Sequence, residues 1–208
     1  DPSRLMASAR AVYGDAEVAH AYGELVGVAR ERVLETHDTM VLDLAGRALQ
    51  FIDTPGHARH HHCIWDECSR GMFSGDTFGV AYPELTSERG RWLIPATPPT
   101  QFDPDALRSS VQRILGFHPE RVYLTHYGEV TPVAQLGATF LARLEQIVAL
   151  GECLRSHPQR VDALRHGLAD LYRDWLREHR CALPEAAAIE LLRVDLELNA
   201  QGMHQWLA

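Results

Sequence analysis

"DTPGHARHHHCIW", residues 53–65, places four histidines within six positions directly after a Pro-Gly break. Histidine is the commonest metal ligand, and twelve of them in 208 residues is a high count. The stretch therefore raises the question of which imidazole is aimed at an ion and where its fellow ligands lie. Working outward, two other stretches share its local form: "MFSGDTF", centred on Asp76, and "VYLTHYG", centred on His126. In each, an apolar strand-like run ends and a ligand-type side chain follows at or just beyond its tip, like "FIDTPGH" ending on His57. Strand ends aim a side chain precisely because the backbone behind them is rigid. Gly56, Gly75 and Gly128 adjoin the three candidates, as expected where the chain bends sharply or passes close to an ion.

Around these motifs the chain changes character along its length. Residues 3–13 and the stretch "DAEVAHAYGEL" read as two short helices, the second capped by Asp15. From 31 to 78, the runs "RVLET", "MVLDLA", "RALQFID", "HHCIWDE" and "GMFSGD" read as strands of a meander separated by turn residues. Residues 79–102, rich in Pro, Gly and Thr, are expected to form a long ordered loop, and loops of that length usually carry function or are disordered. Asp103-Pro104 opens a helix to about Leu115, with proline at its first position, and "RVYLTH" returns to strand. From Pro132 on, the pattern is helical in three segments, roughly 133–153, 158–179 and 184–206. These runs describe a β-rich α/β part, residues 1–130, followed by a helical extension, residues 131–208.

"TPGH", "SGDT" and "LTHYG", in that order and each after an apolar strand, resemble three metal-ligand motifs of the metallo-β-lactamase superfamily, of the glyoxalase-II-like hydrolase kind. The resemblance implies the second half of an αββα sandwich, with His57 on one ion, Asp76 bridging two and His126 on the other. It implies two divalent cations, zinc first with iron or manganese as alternatives, and neutral imidazole with carboxylate suits all three. A water held between such ions ionises near neutral pH, its pKa falling from about 15.7 toward roughly 7. The activity implied is therefore hydrolysis of a small thioester, ester, lactone or similar substrate by metal-bound hydroxide. His61, four residues after His57, is where the family often has a histidine that supports the site without binding metal. His60 and His62 would alternate with His61 along a strand, so the three cannot share one face. Tyr82, Phe102 and Tyr127 are the aromatics expected to face substrate; no residue is singled out as the proton-transfer group.

The family's H-x-H-x-D-H run has no counterpart in the 208 residues. The chain opens Asp1-Pro2 without a methionine, and the expectation is an upstream segment, on the same polypeptide or a cleaved fragment, that carries that run and completes the fold. The chain by itself would then be incomplete and inactive. Two rival functions use the same ligands or fewer: a di-iron redox or oxygen-handling protein, and a non-catalytic interaction protein.

Composition narrows the setting. Acidic residues outnumber basic ones 28 to 20, for a net charge of −8, which speaks against a nucleic-acid partner, since phosphate binding relies on clustered Lys and Arg. No apolar run reads as long enough to span a bilayer. Cys63, Cys68, Cys153 and Cys181 follow no disulfide framework, in keeping with a cytoplasmic protein. The C-terminal helices carry apolar residues on more than one side, which leaves room for a homodimer interface.

Overall fold

The computed structural model describes residues 3–23, 25–99 and 101–208. It divides into two compact units, the segment up to Thr36 and the body from His37 onward. The first unit holds α1 (Ser3–Tyr13), α2 (Asp15–Tyr22) and one 3-10 turn, Arg30–Arg32. Two expectations fail here. Asp15 lies inside α2 and makes no side-chain cap; Gly14 holds the N-cap position, and the Asp15 carboxylate faces Arg10 at 3.6 Å. "RVLET" forms no strand: Val33 and Leu34 are exposed, and a strand exists only through a partner, which these residues lack among the described ones.

The body is built on one six-stranded sheet: β1 (Val41–Leu44), β2 (Arg47–Asp53), β3 (His62–Asp66), β4 (Gly71–Gly75), β5 (Arg121–Leu124) and β6 (Gly128–Val130). The strands lie in chain order, every pair antiparallel except β4 with β5. A parallel pair needs a crossover, which the long loop and α3 (Pro104–Gly116) provide. Asp103 caps that helix as the Asp-Pro pair predicts, its carboxylate accepting the N–H groups of Asp105 and Ala106. The pairing has one consequence for everything below. β2, β4 and β5 all run in the same direction, so their C-terminal ends emerge on one rim of the sheet.

Register sorts the residues onto two faces. Ile52 pairs Cys63, Trp65 pairs Met72, and Met72 pairs Val122; this face is buried in one core with Leu107, Val111 and Ile114 of α3 and Leu136, Phe140 and Leu144 of α4 (Val133–Leu154). On the other face Ile64, Phe73 and Tyr123 stand side by side. Phe73 is 44% exposed there, its ring stacked on Tyr123 at 4.7 Å.

The loop after β4 is ordered, as expected, and its apolar residues explain why. Val80 and Ile94 exchange backbone hydrogen bonds, and Leu85, Trp92 and Ile94 enter a second core with α5 (Arg160–Glu178), α6 (Glu185–Leu191) and α7 (Arg193–Trp206). The extension thus has four helices where the sequence pattern gives three. The break falls at Leu192, whose ψ of 6° leaves helical geometry. No Gly or Pro marks it; the residue is fully buried, and tertiary packing sets the bend. α4 is long and apolar enough to cross a membrane by length and composition, contrary to expectation. Here its apolar stripe is buried in the two cores.

Candidate metal centre

The shared rim brings the three motifs together. His57 Nε2 lies 3.6 Å from Asp76 Oδ2, and His126 Nε2 lies 3.5 Å from Asp76 Oδ1. One carboxylate therefore presents a separate oxygen to each imidazole. Asp76 Oδ1 is buried and has no hydrogen-bond partner. Among the described residues no three His, Cys, Asp or Glu side chains converge as the cage of a single ion; the arrangement is two pairs that share Asp76.

His57 is held from both sides. Gly56 has φ of +127°, and a Cβ there would stand 2.2 Å from the backbone nitrogen of Leu107, so the loop lies directly on α3. The Gly56 carbonyl accepts the Asp103 N–H at 2.9 Å, and Ser110 Oγ donates to the Pro55 carbonyl at 2.6 Å. The ring itself is directed by Nδ1, which faces the Ala96 carbonyl at 3.3 Å. Donation there leaves the Nε2 lone pair pointing at Asp76. Burial pulls the His57 pKa down, with the nearby Asp76 charge opposing, so the ring is neutral at pH 7. A neutral imidazole nitrogen and a carboxylate oxygen facing each other are two acceptors without a donor. A cation between them resolves that. With bonds of about 2.0–2.2 Å and a tetrahedral angle, two ligand atoms on one zinc ion sit roughly 3.4 Å apart, close to both separations found. The donor set fits divalent metal.

Asp76 is set by His61. The Asp76 N–H donates to His61 Nε2 at 3.1 Å, so the ring is the Nδ1–H tautomer, and Nδ1 lies 3.0 Å from Thr77 Oγ1. Burial lowers its pKa to about 4, which keeps it neutral and able to accept. Thr77 Oγ1 donates onward to Thr54, and Thr54 meets the buried Cys63 thiol at 3.2 Å. A Cβ on Gly75, whose φ is +51°, would fall 2.3 Å from the His61 ring. Glycine there is what lets the imidazole reach the Asp76 amide. Just before it, the β4–β5 register shifts between Phe73 and Gly75, the kind of bulge that re-aims a side chain beside a site. His61 thus meets the Asp76 backbone through Nε2, where the resemblance expects a supporting histidine. His60 and His62 are exposed, and His62 turns toward Phe51, the rings 5.6 Å apart.

His126 is anchored differently. Its side chain is 55% exposed, and no hydrogen bond to the ring is formed among the described residues; the turn behind it is what is held. Tyr127 has φ of +72°, a strained value for a non-glycine residue. Its carbonyl accepts from the Arg91 guanidinium at 2.6 Å, and the same nitrogen donates to the Ala81 carbonyl at 2.8 Å. The Tyr127 ring lies 4.5 Å from that of Tyr82, whose hydroxyl donates to Asp195 of α7 at 2.8 Å. Burial raises the pKa of Asp195. Tyr82 and Tyr127 therefore meet beside His126, whereas Phe102 does not join them. Its ring is buried in the first core, 5.9 Å from Trp206, because an apolar ring with no polar handle gains most from full burial. Arg91 and Ala96 were not anticipated from sequence, since both come from the aperiodic loop.

Comparison with known proteins gives the same direction. The model of the metallo-beta-lactamase superfamily matches residues 3–126, a span that ends on His126. The chain is 32% identical over 130 residues to the metallo-beta-lactamase fold-containing protein ST1585 of Sulfurisphaera tokodaii, covering 62% of this chain and 45% of that one. The crystal structure of ST1585 from Sulfolobus tokodaii has a TM-score of 0.62 at 24% identity, covering 98% of this chain and 63% of its own. The metallo-beta-lactamase family protein TTHA1429 of Thermus thermophilus gives 0.52 at 20%, over 90% of this chain and 60% of its own. The chain spans less than half the length of that curated relative and under two thirds of either solved structure. The structural likeness is one of fold.

Proposed function

Because the chain belongs to the metallo-beta-lactamase superfamily, we propose that His57, Asp76 and His126 hold two divalent cations and that the complete protein hydrolyses a small thioester, ester or lactone. One observation carries this: a single carboxylate with one orphaned buried oxygen faces two imidazoles, each through its own oxygen. Zinc is the first candidate for the ions, with iron or manganese next. Bound there, such ions acidify water and polarise a carbonyl. The protein's own contribution is orientation. Ala96 fixes the His57 tautomer, His61 fixes the Asp76 backbone, and Asp76 divides its charge between the two positions. Tyr127, half-exposed beside His126, offers a flat apolar wall for the acyl part of a substrate, with Tyr82 behind it.

Each position has two protein ligands in this chain, whereas a catalytic zinc site ordinarily has three. The reading is therefore that the remaining ligands arrive on a second β-layer bearing the H-x-H-x-D-H run, seated on the face of Ile64, Phe73 and Tyr123. An exposed aromatic stack is the sort of surface that such a layer covers. The test is metal content and intact mass on the protein from its native source, with hydrolysis of thioester, lactone and phosphodiester substrates followed in parallel. Two ions per molecule and acyl-bond hydrolysis support the reading. A polypeptide without the histidine-rich run that still binds two ions and turns over substrate contradicts the second-layer part of it.

A further inference from the structure

A polar cleft of about 160 Å³ opens between the middle of the long loop, the start of α4 and the end of α5. None of His57, Asp76 or His126 lines it. Arg89, Arg91 and Arg143 do, with Glu178 and His179 at the side. Arg143 is only 7% exposed. It lies between the Trp92 and Trp175 rings, 5.0 and 4.9 Å from their centroids, and donates to the Leu93 carbonyl. None of its bonds among the described residues goes to a carboxylate. Burying a cation without a counter-ion is costly, and proteins usually supply a partner. Burial accordingly pulls the Arg143 pKa down to about 10, with Glu178 opposing. Arg91 spends one nitrogen on two carbonyls and leaves Nε buried with no partner. The Arg89 guanidinium, exposed, makes no hydrogen bond or ion pair among the described residues. Glu178 forms no ion pair there either, so it offsets one positive charge of three without neutralising any single guanidinium. His179 lies 3.0 Å from the Gly90 carbonyl through Nε2, and burial lowers its pKa.

We infer that this cleft binds one oxyanion group, a phosphate or a carboxylate, of a small ligand. A guanidinium presents parallel N–H donors at the spacing of two oxyanion oxygens, and here three arginines, one of them buried with no carboxylate bonded to it among the described residues, line one cleft. The volume suits one such group; whole drug-sized ligands need pockets of roughly 300 Å³ or more. Titration calorimetry on the full chain, with potassium phosphate and potassium acetate each compared with chloride at equal ionic strength, tests the inference and separates the two anion types. Saturable one-site binding of either anion, weakened about tenfold in Arg89→Ala, is the expected result. Arg89 is exposed and its guanidinium makes no hydrogen bond or ion pair among the described residues, so its variant should melt with the parent in chloride. Binding no better than chloride, an Arg89→Ala protein that binds like the parent, or binding lost in Asp76→Asn and retained in Arg89→Ala would overturn it, the last by placing the anion on the metal centre.

Discussion

The two imidazoles that face Asp76 are held in opposite ways. His57 is 16% exposed, directed through its own ring nitrogen, on a loop pressed against a helix backbone. His126 is 55% exposed with its ring free of hydrogen bonds among the described residues, and only the strained turn carrying it is clamped, by Arg91 and by the Tyr82–Tyr127 contact. One half of the centre is built in advance; the other owes its position to a loop and a C-terminal helix. Metal affinity and its sensitivity to mutation should therefore divide along the same line.

The largest expected effect breaks the rigid half. Gly56→Ala puts a methyl group into the Leu107 backbone at a positive φ, and should cost about 3 kcal/mol or more of stability. Chemical denaturation measures it, and an unchanged midpoint would show that the loop does not press on α3 as described. The next effect separates the halves. Arg91→Met should weaken the ion at His126 by roughly 10- to 100-fold, the usual range for losing an orienting partner, and leave the ion at His57 near parental affinity. Competitive chelator titration resolves the two; equal losses at both would deny the asymmetry.

A control lies at the opposite rim, where β3 ends. Asp66 is buried and bonded by Arg47, Ser69 Oγ and the Cys68 N–H, and the Arg47 guanidinium leads in holding its pKa down at about 2. A carboxyl with a depressed folded pKa adds stability that is complete above its unfolded pKa and is lost as pH falls toward the folded one. Thermal stability should therefore decline between about pH 5 and pH 2, with a shallower decline in Arg47→Ala and unchanged metal affinity at pH 7. Loss of metal in that variant would mean that general destabilisation, rather than local geometry, governs the site. The smallest effect belongs to Thr77→Val, which removes the nearer partner of His61 Nδ1, at 3.0 Å, and leaves only Thr54 Oγ1 at 3.5 Å. About 1 kcal/mol of stability is expected, together with a lower affinity at both ions, because His61 sets Asp76, which serves both.

This division also marks what the sequence could and could not disclose. His57, Asp76 and His126 stood out because each follows an apolar run and lies within two residues of a glycine, and Gly56 and Gly75 prove to have positive φ and close backbone or ring approaches. That they meet depends on β2, β4 and β5 running in one direction, which hydrophobic pattern does not encode and strand pairing supplies. Arg91 and Ala96 act at distances of 36 and 39 residues along the chain from the groups that they hold, with no local signature. Tyr82 and Phe102 look alike as loop aromatics; one carries a hydroxyl that finds Asp195, the other only a ring, which goes to the core. The bend at Leu192 is invisible for the same reason, because burial rather than a helix-breaking residue produces it.

Asp76→Asn asks the central question most directly. Asparagine keeps the shape of the side chain and the backbone bond to His61 but replaces one carboxylate oxygen with an amide nitrogen that cannot ligate a cation. Metal stoichiometry on the native protein and on this variant should fall from two ions to none tightly held, with folding intact by circular dichroism. A variant that retains both ions at parental affinity would contradict the account, since no shared carboxylate would then hold the centre together.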